Sequence, residues 1–132
     1  MDVREVIIAF NDAISRADLA ALAEHVAPDH AFIDAAGNSV TGREMVLAAW
    51  RGFFAAFPGY RNRFDEIRVA GPHVMIRGIS ESDDPALAGP ALWRAEVVDG
   101  LVTLWEVHAD TAENRTRLGL DRHADAAGDD GA

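Results

Sequence analysis

The side chains able to move a proton or fix a charge are few and spread along the chain. Asp34 closes a short apolar run, Ala31-Phe32-Ile33, immediately before the turn-like stretch Ala35-Ala36-Gly37-Asn38. A carboxylate set among apolar groups has its charged form disfavoured, which lifts its pKa toward the range useful for proton transfer. Asp34 is therefore the candidate general base. The competing reading is structural, as a cap on the turn at Gly37 or as the partner of a buried arginine. Arg77 is the candidate electrostatic partner, because a guanidinium can polarise a carbonyl or clamp a carboxylate through its two-pronged fork. It would equally serve to neutralise Asp34 in the interior. Glu106 and His108, two residues apart, share one face of an extended segment and form a second acid/base pair by type. His25, Asp29 and His30 straddle a helix end and Pro28, match no metal-ligand spacing, and read as surface. No metal site and no cofactor are expected.

The rest of the composition narrows the classes of chemistry. The sequence has 132 residues and no cysteine, so neither a thiolate nucleophile nor a cysteine zinc site is available. It contains no glycine-rich phosphate loop, no Gly-x-Ser-x-Gly elbow and no His-Glu-x-x-His. All 12 basic residues are arginines, set against 22 acidic ones, for a net charge of −10. The one local basic cluster, Arg61, Arg63 and Arg68, is interrupted by Asp65 and Glu66. Binding to a phosphate backbone needs a basic patch, so neither nucleic acid nor an anionic membrane is an expected partner. Hydrophobic residues make up 49% and charged residues 26%, the proportions of a globular domain. No apolar run approaches the ~20 residues of a membrane span. The first residues lack the basic start and apolar stretch of a secretory signal, so a cytoplasmic location is expected.

These side chains must be positioned by elements that the hydrophobic pattern predicts. Val3, Val6, Ile7, Phe10 and Ile14 follow helical spacing over residues 2–15. A second short helix follows, with Asp18 as N-cap, Leu19, Leu22, Ala23 and Val26 facing inward, and Pro28 as its stop. The run 31–34 reads as a short strand. Thr41-Gly42-Arg43-Glu44 has the pattern of a capping box opening a helix that carries Val46, Trp50, Phe53, Phe54 and Phe57 on one side and ends at Pro58. The period then becomes alternating, giving strands at 60–69, 73–82, 92–98 and 101–108, with a tight hairpin at Asp99-Gly100. Residues 83–90 read as a longer polar loop. Asp110 to Arg115 reads as a local ion pair or turn, after which Leu118 and Leu120 cover one end of the core. The domain is expected over 1–120, followed by an acidic tail, 121–132, without apolar periodicity. Helices followed by a meander predict an α+β layout with the helices on one face of the sheet.

In this order of elements the chain resembles the NTF2-like superfamily, specifically its SnoaL-like and ketosteroid-isomerase-like members. The resemblance rests on Ser15-Arg-Ala-Asp-Leu19, Val26-Ala-Pro-Asp-His-Ala-Phe-Ile-Asp-Ala-Ala-Gly37, Thr41-Gly42 opening a helix, and Asp99-Gly-Leu-Val-Thr-Leu-Trp105, and spans roughly residues 3–120. It implies a cone-shaped, curved antiparallel sheet packed against three helices, with a pocket for a small apolar or alicyclic ligand, and a homodimer through the outer face of the sheet. Asp34 falls where ketosteroid isomerases keep their proton-shuttling aspartate, while their oxyanion-hole tyrosine and acid are replaced by Phe10 and Trp93. Arg77 matches the arginine of limonene epoxide hydrolases, whose flanking aspartates fall on Ile79 and Val107. Polyether epoxide hydrolases pair the aspartate with a glutamate for which Glu66 or Asp65 stands here.

The family pattern turns Trp93, Ala95, Val97, Trp105 and Val107 inward, with Met75, Arg77, Ile79 and Glu81 on the preceding strand. Arg94, Glu106 and His108 then lie outside, where a cross-strand Arg94–Glu106 pair is expected. The ligand-binding set implied is Phe10, Phe32, Trp50, Phe54, Asn62, Met75, Trp93, Trp105 and Val107, around Asp34 and Arg77. Tyr60 shares a strand face with Asn62. Two functions fit such a site: a cofactor-free acid/base enzyme of isomerase, polyketide cyclase or epoxide hydrolase type, or a non-catalytic ligand-binding or dimerisation module.

Overall fold

The protein is described by a computed structural model over residues 1–120; the acidic segment 121–132 lies outside the described residues. Helix α1 (Val3–Ser15) begins with a capping box the periodicity did not announce, in which Glu5 N donates to the Asp2 carboxylate and Asp2 N donates to the Glu5 carboxylate, each at 2.8 Å. It buries Val6, Ile7, Phe10, Ala13 and Ile14. Asp18 caps α2 (Leu19–Ala23) by accepting from Ala21 N at 3.0 Å. Strand β1 (Val26–Ile33) starts earlier than its apolar run, so Val26 and Pro28 belong to the strand and not to the helix. Pro28 is tolerated because it is exposed and falls within a register shift between Val26 and Ala31, where no ladder bond is lost.

A three-residue strand β2 (Ser39–Thr41) pairs antiparallel with the end of β1. That pairing explains why the expected capping box is absent. Thr41 is held opposite Ala31, and α3 (Arg43–Ala56) starts instead from Gly42 at φ +96°, with no side-chain cap. Strands β3 (Arg61–Ala70), β4 (His73–Glu81), β5 (Gly89–Val98) and β6 (Leu101–Ala109) form the meander. Asp99 and Gly100 both adopt positive φ in the β5–β6 turn. A short helix α4 (Ala112–Arg117) follows, within which Arg115 pairs with Asp110 at 2.5 Å.

Among the described residues the six strands make one sheet, in the order β2-β1-β6-β5-β4-β3. The meander is antiparallel as expected, and β1 joins it parallel to β6. Register breaks in β3 between Phe64 and Glu66, and in β5 between Glu96 and Val97, add local twist, and the sheet is curved and unclosed. α1, α2 and α3 fill the concave side around Phe10, Leu22, Val46, Trp50, Trp93 and Trp105, giving the NTF2-like α+β fold. On the convex side Leu118 and Leu120, which trail α4, cover Leu92 and Met75. No helix among the described residues is long and apolar enough to cross a membrane.

The face of β4 corrects the expected parity. Val74, Ile76, Gly78 and Ser80 are buried on the concave side, and Met75, Arg77, Ile79 and Glu81 alternate onto the other. Both faces of this strand are apolar because Leu118 and Leu120 shelter the convex one, so alternation alone does not choose between them.

Candidate functional site

Where α3, the β1–β2 turn, the β4–β5 loop and the inner faces of β5 and β6 meet, the cone holds a cavity of about 580 Å³. Phe32, Val46, Trp50, Phe53, Trp105 and Val107 make its apolar walls, and residues 86–91, the end of the β4–β5 loop with the start of β5, make its lip. Trp50 organises the α3 wall. Its ring lies 5.6 Å from Phe32 and 5.5 Å from both Phe53 and Phe54, in edge-on and tilted arrangements that aromatic quadrupoles favour. Tyr60 and Ser80 put a polar patch on one wall and Asp34 borders the cavity, whereas His108 lies along it with its imidazole turned away to Glu106.

Asp34 is at the rim, and its carboxylate is committed to the turn. Ala36 N and Asn38 N donate to Oδ1 at 2.9 Å each, and Asn38 Nδ2 donates to Oδ2 at 3.1 Å. The hydrogen bond from the Asn38 backbone, with further help from the Asn38 side chain, Ala36 and Gly37, outweighs the opposing effect of burial and holds the carboxyl below its ordinary pKa. This reverses the expected shift, and the reason is local: the turn supplies donors where the sequence suggested apolar surroundings. A carboxyl whose pKa is lowered by folding adds stability above its ordinary pKa and loses it as pH falls through the lowered value. Asp34→Asn should therefore keep the fold and lower stability at neutral pH by less than about 1 kcal/mol, given solvent screening. Thermal melts of both proteins should differ near pH 7 and converge toward pH 2.

Arg77 is a second correction. It sits on the convex face, its Nε 3.5 Å from Glu66 Oε1, while Arg68 Nε donates to Glu66 Oε2 at 2.5 Å. Asp34 and Arg77 are on opposite sides of the sheet and do not pair. Met75 is also convex, beneath Leu118 and Leu120. Phe10 and Trp93 turn inward as expected but lie behind the cavity in the closed core, with Phe10 4.9 Å and Trp93 6.3 Å from the Trp105 ring. Phe54 supports Trp50 from behind. Asn62, 6% exposed, stands behind Ser80, whose Oγ donates to Asn62 Oδ1 at 2.8 Å.

The convex pair expected from parity is present. Arg94 Nε donates to Glu106 Oε1 at 2.9 Å, and His108 Nε2 lies 2.8 Å from the same oxygen. Burial works against the charge on Glu106, and the bonds from His108 and Arg94 more than offset it, leaving its pKa lowered. His30 is a further correction, being fully buried where a surface position was expected. Its Nδ1 donates to Val102 O at 2.6 Å, and burial pulls its pKa down, so the ring is a neutral strut between β1 and β6.

Comparison with known proteins agrees with this architecture. Residues 7–105 match the SnoaL-like domain. No curated protein matches the sequence. Among solved structures, a candidate polyketide cyclase from Sinorhizobium meliloti superposes with a TM-score of 0.71 at 22% identity, over 82% of this chain and 100% of that one. A protein with a ketosteroid isomerase-like fold from Catenulispora acidiphila, crystallised with trimethylamine, gives 0.71 at 21% identity, over 88% and 93% of the two chains. IdmH, a candidate polyketide cyclase from Streptomyces antibioticus, gives 0.68 at 20% identity, over 90% and 99%. At these identities the similarity is one of fold.

Proposed function

The chain belongs to the SnoaL-like domain family, and on that premise we propose that it binds a small, mostly apolar molecule in the cavity between α3 and the concave sheet. One observation carries the reading: an aromatic-walled space of about 580 Å³ with its few polar groups gathered on one wall and at the rim. Small-ligand sites have that composition, since the apolar walls supply affinity and a handful of polar atoms fix orientation.

A second reading has its own support. Asp34 is the only carboxylate among the described residues that line the cavity, and it is held in the ionised form that can accept a proton. Structural neighbours of the same fold include candidate polyketide cyclases, which supports considering an enzymatic role. In that case Asp34 would be the base at the mouth, acting on a group already acidified by its own neighbours because a lowered pKa makes a weak base. Arg77 has no part in it. The geometry favours the binding reading, because the turn already uses both oxygens of Asp34.

An NMR-monitored screen separates the two. Wild type and Asp34→Asn are each titrated with β,γ-enones, alicyclic epoxides and polyketide-type esters. The binding reading expects shifts of the Trp50 and Trp105 indole signals without conversion, alike in both proteins. Conversion by wild type alone would establish the enzymatic reading. Indole signals unmoved by every compound would overturn the cavity as the ligand site.

A further inference from the structure

The polar wall of the cavity has a built-in direction. It begins at an atom that can only accept, the backbone carbonyl oxygen of Asn62. Asn11 Nδ2 donates to that oxygen at 3.1 Å, which fixes the Asn11 amide with its own oxygen toward the Asn62 side chain. Asn62 Nδ2 then donates to Asn11 Oδ1 at 3.2 Å, which leaves Asn62 Oδ1 facing Ser80. Ser80 has one hydroxyl proton and gives it to that oxygen at 2.8 Å. Tyr60 Oη lies 3.2 Å from Ser80 Oγ, which has no proton left, so Tyr60 is the donor of this pair. Burial raises the Tyr60 phenol above its ordinary pKa, and it keeps its proton at neutral pH. With that proton spent on Ser80, Tyr60 presents lone pairs to whatever occupies the cavity.

We propose that the cavity selects molecules carrying a hydrogen-bond donor, a hydroxyl or N–H on an otherwise apolar skeleton, with the Tyr60 oxygen as its acceptor, and discriminates against the same skeleton bearing a carbonyl there. This rests on the cavity being a ligand site and goes beyond it, to the class of group the site recognises. A carbonyl could be bound only if Tyr60 withdrew its proton from Ser80. Ser80 would then either lose a bond or turn its own proton toward Tyr60, leaving Asn62 Oδ1 without its donor. Ser80 and Asn62 are each 6% exposed, so water does not readily make good the lost bond. Sites that pair with a ligand's donor reject the analogue lacking it far more strongly than apolar walls reject a methylene.

The test uses three compounds on one skeleton: 4-tert-butylcyclohexanol, its methyl ether, and 4-tert-butylcyclohexanone. Affinities are read from the Trp50 and Trp105 indole shifts of the full chain. The alcohol is expected to bind about tenfold or more tightly than either of the others. Equal affinities, or a tighter ketone, would overturn the proposal while the cavity reading stands. No indole shift with any of the three would overturn both. The wild-type comparison needs no variant, and Tyr60→Phe adds a test that a merely structural role would not pass. Removing the phenol oxygen takes away the acceptor and leaves the ring, so the alcohol's advantage over the ketone should vanish. An undiminished alcohol preference in folded Tyr60→Phe would overturn the assignment of Tyr60 as the acceptor.

Discussion

Trp105→Ala is expected to lower the unfolding free energy by about 3–5 kcal/mol, the range for removing a large aromatic from a packed core. The indole is 1% exposed and occupies the middle of the sheet, paired in register with Phe32 of β1 and Ala95 of β5. Its ring lies 4.9 Å from Phe10 and 6.3 Å from both Phe64 and Trp93, so it joins the α1 side of the core to the β3–β5 side. It is also a wall of the cavity. The void left by alanine would therefore open into an existing space, and the strands around it are held by backbone ladders that resist collapse. Urea titration should show a lower midpoint at an unchanged slope, because the surface exposed on unfolding is nearly the same. A loss below about 1 kcal/mol would mean that the ring is not packed as described.

The second large effect is expected at a residue with no side chain. A Cβ on Gly78 would lie 2.1 Å from Arg63 O and 3.0 Å from Phe64 Cα, both backbone atoms that no rotamer change can move aside. Gly78 pairs with Phe64, next to the place where β3 breaks register before Glu66. The missing side chain is what allows the β3 backbone to come this close as the sheet bends. Gly78→Ala should push β3 away from β4 and cost about 3 kcal/mol, the upper end of the usual overpacking range. It should also weaken the polar wall, because Ser80 and Asn62 face each other two residues further along the same pair of strands. Urea titration measures the first effect, and the ratio of alcohol to ketone affinity measures the second. Wild-type stability in the variant would show that the β3–β4 approach is not fixed by the glycine.

Much of this fold was legible because its local signals agree with one another. The Val6, Ile7, Phe10, Ile14 stripe, the Asp18 cap, the Asp99-Gly100 turn and four alternating strands each have a short-range cause. The site was legible in part, and its largest loss has a single origin. In a strand the side-chain period is two, so a one-residue error in parity exchanges the whole set. On β4 that error placed Met75 and Arg77 in the cavity and hid Ser80, the residue that gives the polar wall its direction. Nothing local corrects it, because the convex shelter comes from Leu118 and Leu120, beyond two further strands. Asp34 failed differently. Asn38, four residues on, and Gly37 at φ +90° are a turn signature, and the donors of that turn override the apolar run before Asp34. Phe10 and Trp93 show a third limit, since periodicity tells which way a ring points and not how deep it lies.

The parallel pairing of β1 with β6 bears on how the chain is made. Val102 N donates to His25 O at 2.7 Å and His30 donates to Val102 O at 2.6 Å, the latter across 72 residues of sequence. During synthesis the partner of β1 does not yet exist when β1 leaves the ribosome. At roughly 5–20 residues per second, the interval before β6 emerges is about 4–15 s. Through that interval Phe10, Val26 and Phe32 have helices beside them but no Trp105 to close over them, and β1 offers an unpaired edge. A nascent chain arrested before Leu101 would therefore be a sticky, unfinished half-cone, and release of the last strand would be the event that commits the protein to its fold.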